Sequence, residues 1–224
     1  MSDISIAKNA ELTRDQGVFV MNQLPKDNLL GKSPLHHADL KKVAQKGPQT
    51  GGVIFSEQAF MGLITLRCDP ENAEQLNAAH RVLGVALPTK PLSSVISGTT
   101  RVRWIGPTEW LISVPGGQVF ELEMTFQNQM AGHFQVVNVS GGNTIFRLSG
   151  THVRDVLKKS TSIDVHPSAF AVGKVVSSNF AKSSAVICRV DEQSYELVVR
   201  RSFADYLWLW IQDASQEYGL VVTC

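Results

Sequence analysis

Apolar positions along the chain fall into short blocks that switch between a two-residue period and a helical one. AFMGLITLRC (59–68) reads as a strand, and DPENAEQLNAAHRVLG (69–84) as a helix. In that helix Asp69 stands where a cap is needed, Pro70 at the first turn and Gly84 at the left-handed stop. Leu76, Ala79, His80 and Leu83 form its predicted inner stripe. TTRVRWI (99–105) and EWLISV (109–114) alternate like strands, putting Val102 with Trp104 and Trp110 with Ile112 and Val114. GGQVFELEMTFQNQMAG (116–132) predicts a helix with Phe120, Met124 and Gln127 near one face, and HFQVVNV (133–139) a strand.

The same plan then recurs. NTIFRLSG (143–150) is a strand, THVRDVLKKS (151–160) a helix with Val153, Val156 and Leu157 inward, and AVGKVVSSNFA with SSAVICRV a strand pair. SYELVVR, RSFADYLWLWIQDASQEYG and LVVT follow as strand, helix and strand. Two strand–helix–strand units repeated in this order predict an α+β fold of two ferredoxin-like, split β-α-β halves. The expected divisions are an irregular N-terminal arm over 1–59, a first half over 60–140 and a second half over 141–224. Together the halves make one integrated domain.

Two segments complicate this plan. In the last helix, Ser202 and Asp205 have capping-box spacing, and Phe203, Tyr206, Leu207, Trp210, Ile211 and Ala214 fit the core stripe. Trp208 and Leu209 fall on its flanks at ~100° per residue, which marks a second contact surface. In the lead, TRDQGVFVMNQLPKDNLLGKSPLHH keeps no period, and QKGPQTGG reads as a loop. A long aperiodic lead is expected to be a tail or to be ordered on another surface.

Composition narrows the function. Of the 224 residues 43% are hydrophobic and 18% charged, with net charge +1. Such a balance supplies no basic footprint for nucleic acid. No apolar run approaches the ~20 residues of a membrane span, and the polar N-terminus has no secretory plan. Three cysteines, Cys68, Cys188 and Cys224, stand far apart, in neither disulfide nor zinc-ribbon spacing, and suit a reducing cytoplasm.

Candidate chemistry is sparse. Asp164 and His166 in IDVHP share a strand face if extended, so the carboxylate could orient the imidazole, but no nucleophile stands in G-x-S-x-G and a Pro167 turn explains the stretch. SGGNT (140–144) precedes a strand, which favours a hairpin turn over a phosphate loop. Arg200 and Arg201 begin a helix, where positive charge is unfavourable, so outward or partner-pairing side chains are expected. His36 and His37 are adjacent; neighbouring side chains diverge in either regular structure, and no ligand stands at zinc spacing beside them. No catalytic, cofactor-binding or metal-ligating residue is assigned.

The runs VVNVSGGNTIFRLSGTHVRDVL, SIDVHPSAFAVGKV and YELVVRRSFADYLWLWIQDASQEYG, with GPTEWLI and SPLHHA upstream, closely resemble the gamma-subunit family of heterotetrameric bacterial sarcosine oxidase. They more distantly resemble the folate-dependent aminomethyltransferase superfamily. The resemblance implies a non-catalytic structural subunit. Its complex would demethylate sarcosine to glycine with formation of H2O2 and 5,10-methylenetetrahydrofolate. FAD, FMN, NAD and zinc would lie in other subunits, and alpha, beta and delta subunits would be the partners. The alternative is a free-standing tetrahydrofolate-binding, one-carbon transfer protein. Under the subunit reading, Pro34, Leu35, His36 and His37 are expected to lie along a neighbour, with Trp208 and Leu209 as a second interface.

Overall fold

The structure, a computed structural model, describes residues 31–224. Expectations on residues 1–30 lie outside the described residues. After a short turn come α1 (Leu40–Lys46) and β1 (Val53–Gln58). Next are β2 (Met61–Arg67), α2 (Ala73–Leu83), β3 (Ser94–Ser97), β4 (Thr100–Gly106), β5 (Glu109–Pro115), α3 (Val119–Gln129) and β6 (Gln135–Asn138). The remainder is β7 (Asn143–Ser149), α4 (Val153–Ser160), β8 (Val175–Phe180), β9 (Ser183–Asp191), β10 (Ser194–Arg200), α5 (Ala204–Ser215) and β11 (Leu220–Val222).

The strands form two sheets, ordered β3-β4-β5-β2-β6 and β11-β1-β7-β10-β9-β8. The first is antiparallel throughout. In the second, β1 lies between β7 and β11, antiparallel to the former and parallel to the latter. This corrects the expected irregular arm and the division at residue 59. Residues 31–59 hold a helix and a full strand, and that strand belongs to the later sheet. GGVIFSEQ was too short to declare a period: Val53 and Phe55 alone point into the core. The chain leaves this sheet through Ala59–Phe60 and re-enters it after Ser140–Gly142. SGG is therefore a crossing between sheets, not the expected hairpin turn.

Each sheet covers one face with helices. Ile64, Leu66, Trp110, Ile112 and Val114 meet Ala79, Leu83 and Phe126. Phe55, Phe146, Leu148, Tyr195, Leu197 and Val199 meet Val156, Leu157, Leu207, Trp208 and Ile211. The other faces meet each other, with Leu63 and Leu111 against Ile145 and Val198. The layers are thus helices, sheet, sheet, helices.

Several helix details differ from the sequence pattern. Asn72, not Asp69, caps α2, its Oδ1 accepting from the backbone N–H of Glu74 at 3.0 Å and Gln75 at 3.1 Å, a bond worth about 1 kcal/mol. Asp69 instead accepts from Glu71 N–H. Gln75 and Ala78 turn inward while His80 is exposed. In α3 the buried side is Phe126, followed by Met130, with Val119 and Leu122 packed against the core; Phe120 is exposed. Ser202 makes no cap on α5, because a 3-10 turn over Arg201–Phe203 precedes the helix.

Candidate functional site

The histidine pair sits in a 3-10 turn, His36–Ala38, ended by Asp39 in left-handed conformation. The two rings part company. His37 Nε2 lies 2.6 Å from Asp205 Oδ1 on α5, and both His36 and His37 are exposed. Among the described residues no group of three His, Cys, Asp or Glu side chains could hold a metal. The backbone before the turn is tied to the 3-10 turn that precedes α5, since Arg201 Nη2 donates to Lys32 O at 3.0 Å. Leu35 is 1% exposed and belongs to the core under the six-stranded sheet. This corrects its expected place on a neighbouring subunit: the anchor is used within the chain. Pro34 is half-buried beside it.

A second correction concerns α5. Its buried residues are Ala204, Leu207, Trp208, Ile211, Ala214 and Ser215. The core stripe is rotated by about one residue from the expected one. Trp208 packs on Phe55 with ring centroids 4.7 Å apart and is not a surface side chain. Leu209 is exposed, as its flank position required. Phe203 is exposed too, and Trp210 is half-buried with its indole N–H donated to Ser160 Oγ at 3.0 Å.

The remaining sequence candidates separate into local turns. Asp164 accepts from the backbone N–H of His166 at 2.8 Å, and the imidazole Nδ1 lies 2.7 Å from Ser168 Oγ. The carboxylate therefore holds a turn rather than orienting the ring. Ser140 Oγ accepts from Leu63 N–H at 2.8 Å and pins the crossing loop to β2.

Burial pushes the Cys68 thiol up to about 11, with Asp69 adding to the effect, and burial likewise raises Cys188. Both are protonated at neutral pH and inaccessible, which makes them poor nucleophiles. Cys224 is exposed. A thiol-specific reagent at pH 8 is expected to label one cysteine rapidly and the other two only in denaturant. Stability carried by the Cys68 shift is complete below the ordinary thiol value of 9.0 and declines as pH rises toward about 11. Rapid labelling of two or more thiols in the folded chain would refute this placement.

Sequence reasoning missed one site entirely. Between the sheets, Glu196 Oε2 accepts from Arg103 Nη2 at 2.6 Å and pairs with Arg101 Nε at 3.0 Å. Arg103 Nη1 donates to Ser113 Oγ at 3.0 Å. The Glu196 and Arg103 side chains are 1% and 0% exposed. Burial lowers the Arg101 pKa, an effect opposed by Glu196. A carboxylate held between two guanidiniums and sealed from solvent has no access to a substrate. Its chemistry is to lock β4 against β10. In TTRVRWI the arginines occupy the alternate positions that normally face water, so nothing local marked them as buried.

A surface cleft of about 670 Å³ opens at the far end of the first sheet, lined by Arg67, Cys68, Asn72, Thr108, His133 and Phe134 among others. Gln75 on its wall is spent on the protein itself, accepting from Asp69 N–H and donating to the carbonyls of Ala131 and His133. The Asp69 carboxylate on the same wall accepts from Glu71 N–H at 2.9 Å, so it too serves the local turn.

Comparison with known proteins places this geometry. The model of the sarcosine oxidase, gamma subunit family matches residues 67–217. The chain belongs to the sarcosine oxidase gamma subunit family. The sarcosine oxidase gamma subunit from Arthrobacter sp. is 30% identical over 201 residues, covering 88% of this chain and 96% of that one. A chain of the heterotetrameric sarcosine oxidase from Corynebacterium sp. U-96, solved with pyrrole 2-carboxylate, superposes with TM-score 0.76 at 27% identity, covering 84% of this chain and 96% of that one. The glycine cleavage system aminomethyltransferase T from Bartonella henselae superposes with TM-score 0.64 at 12% identity, covering 87% of this chain and 59% of that one. That last likeness is one of fold alone.

Proposed function

We propose that the chain is the non-catalytic, structural gamma subunit of a cytoplasmic heterotetrameric sarcosine oxidase. The complex oxidatively demethylates sarcosine to glycine, with formation of H2O2 and 5,10-methylenetetrahydrofolate. Alpha, beta and delta subunits are its partners and hold FAD, FMN, NAD and zinc. The observation that carries the proposal is the correspondence with nearly the whole of one chain of such an oxidase, 96% covered at TM-score 0.76. In this reading each sheet is a ferredoxin-like half. The orders β6-β2-β5-β4 and β11-β7-β10-β9, with β1 inserted in the second and β3 and β8 added at the edges, support it. Pro34, His36, His37 and Leu209 remain candidates for contact with a neighbour.

Co-expression with the large flavin-binding chains is the test. The chain expressed alone is expected to self-associate as its concentration rises, because apolar contact surface is uncovered. Together with its partners it should elute as one monodisperse complex with sarcosine-dependent H2O2 production. A lone chain that stays monomeric and ignores those partners refutes the proposal. Saturable binding of tetrahydrofolate by the lone chain would favour the one-carbon-transfer alternative.

A further inference from the structure

We propose that the end of the molecule bearing Phe60, Phe120 and Phe203 docks an apolar surface with a carboxylate rim on another chain. The inference rests on the subunit function proposed above and adds the surface and the chemistry it selects.

Four separated stretches meet at this end. Phe60 forms the turn between β1 and β2, and its carbonyl lies against Gly116, just after β5. Gly62 packs on Val119, the first residue of α3, so Phe120 is adjacent. Ser140 Oγ holds Leu63 N–H, bringing the Ser140–Gly142 turn to the same end. Register pairs Asn143, which follows that turn, with Arg200, which leads to Phe203. Phe60, Phe120 and Phe203 are 63%, 39% and 42% exposed and are the exposed phenylalanines among the described residues. Single exposed apolar side chains are ordinary, but a cluster of aromatic ones marks an interaction surface.

The glycines around them point the same way. Gly117, Gly141 and Gly142 have no positive φ, and a Cβ on any of them would meet nothing within 4 Å. Neither conformation nor packing within the chain calls for glycine there. Bare backbone at a surface admits close approach by another molecule.

Charge selects the occupant. Lys32, Arg200 and Arg201 border the Phe203 side and are all exposed. Arg201 spends one donor on a backbone carbonyl, and the nearby Asp205 carboxylate is held by His37. Glu121, beside Phe120, is the exposed carboxylate on the α3 side. Three exposed cations against two exposed carboxylates, Asp205 and Glu121, leave a net positive charge that favours a partner rim of Asp and Glu. A two-fold dimer through this face would set a net positive patch against itself.

The full chain, co-expressed with its partner subunits, supplies the assay. Phe60→Asp with Phe203→Glu, and separately Arg200→Glu, test the apolar and charged parts; Asp suits the left-handed backbone at residue 60 (φ 59°). The double variant should lose at least about tenfold in affinity for the partner subunits. Arg200→Glu should weaken binding and reduce its salt dependence, with circular dichroism unchanged in both. Val172→Glu, an exposed apolar position at the opposite end, should assemble normally. If both surface variants assemble like the unmodified chain, this face is not the dock, although the subunit function stands. If the unmodified chain captures no partner, both fall. Loss of chain dimerisation, or of sedimentation with phosphatidylserine vesicles, with unchanged assembly would also overturn the inference.

Discussion

Replacing Glu196 with alanine is expected to lower the stability of the chain by about 3–5 kcal/mol, the cost of leaving a buried ion network without its anion. Among the described residues Glu196 is the sole carboxylate paired with Arg101 and Arg103. Without it two guanidiniums remain between the sheets, and burial already disfavours the charged form of Arg101. Urea unfolding of the dilute chain would read the loss as a lower midpoint at unchanged slope. Replacing Glu196, Arg103 and Arg101 together by apolar residues of similar volume should restore most of it. Desolvating the three charges costs about what their attraction returns. A Glu196→Ala variant within about 1 kcal/mol of the parent would mean that water reaches the inter-sheet layer. Equal damage from the single and triple changes would show that packing, not charge, sets the effect.

The network also shows where the sequence stopped being legible. Strand alternation identified β2, β4, β5, β7, β9 and β10, because one face of each packs on helices and is apolar. It could not say what the other face meets. Leu111, Ser113 and Glu196 look like the solvent side of half-buried strands; their burial follows from the second sheet closing over them. β1 was lost for a related reason. Its partners β7 and β11 lie far along the chain, and no local period announces a strand inserted between them. The helices failed differently. Existence and approximate bounds of α2 to α5 were readable, whereas α1 was not; the rotation of α5 was lost because six of its residues from Tyr206 to Ile211 are large and apolar and a stripe can be drawn two ways. Of the expected contact residues, Leu209 stayed exposed, while Leu35 and Trp208 went into the chain's own core. An apolar anchor in an irregular segment fits an internal or an external pocket equally well until the pocket is seen.

Adjacent positions on α5 now make opposite predictions. Trp208→Ala should destabilise the chain by about 3–5 kcal/mol, the range for emptying a large aromatic from a packed core. Trp208 is 4% exposed and packs tilted at 37° on Phe55, which itself sits on β1 between β7 and β11. Removing the indole opens a cavity where α5 holds the inserted strand. Leu209→Ser should leave stability within about 0.5 kcal/mol, because the leucine is 57% exposed. Its effect, if Leu209 touches a neighbour, appears in assembly instead. Had the helix been rotated as its pattern suggested, Trp208→Ala would change assembly and spare the fold. Paired thermal melts and complex pull-downs of the two variants separate the orientations. A Trp208→Ala chain that melts like the parent would return the tryptophan to the surface and displace β1 from the core described here.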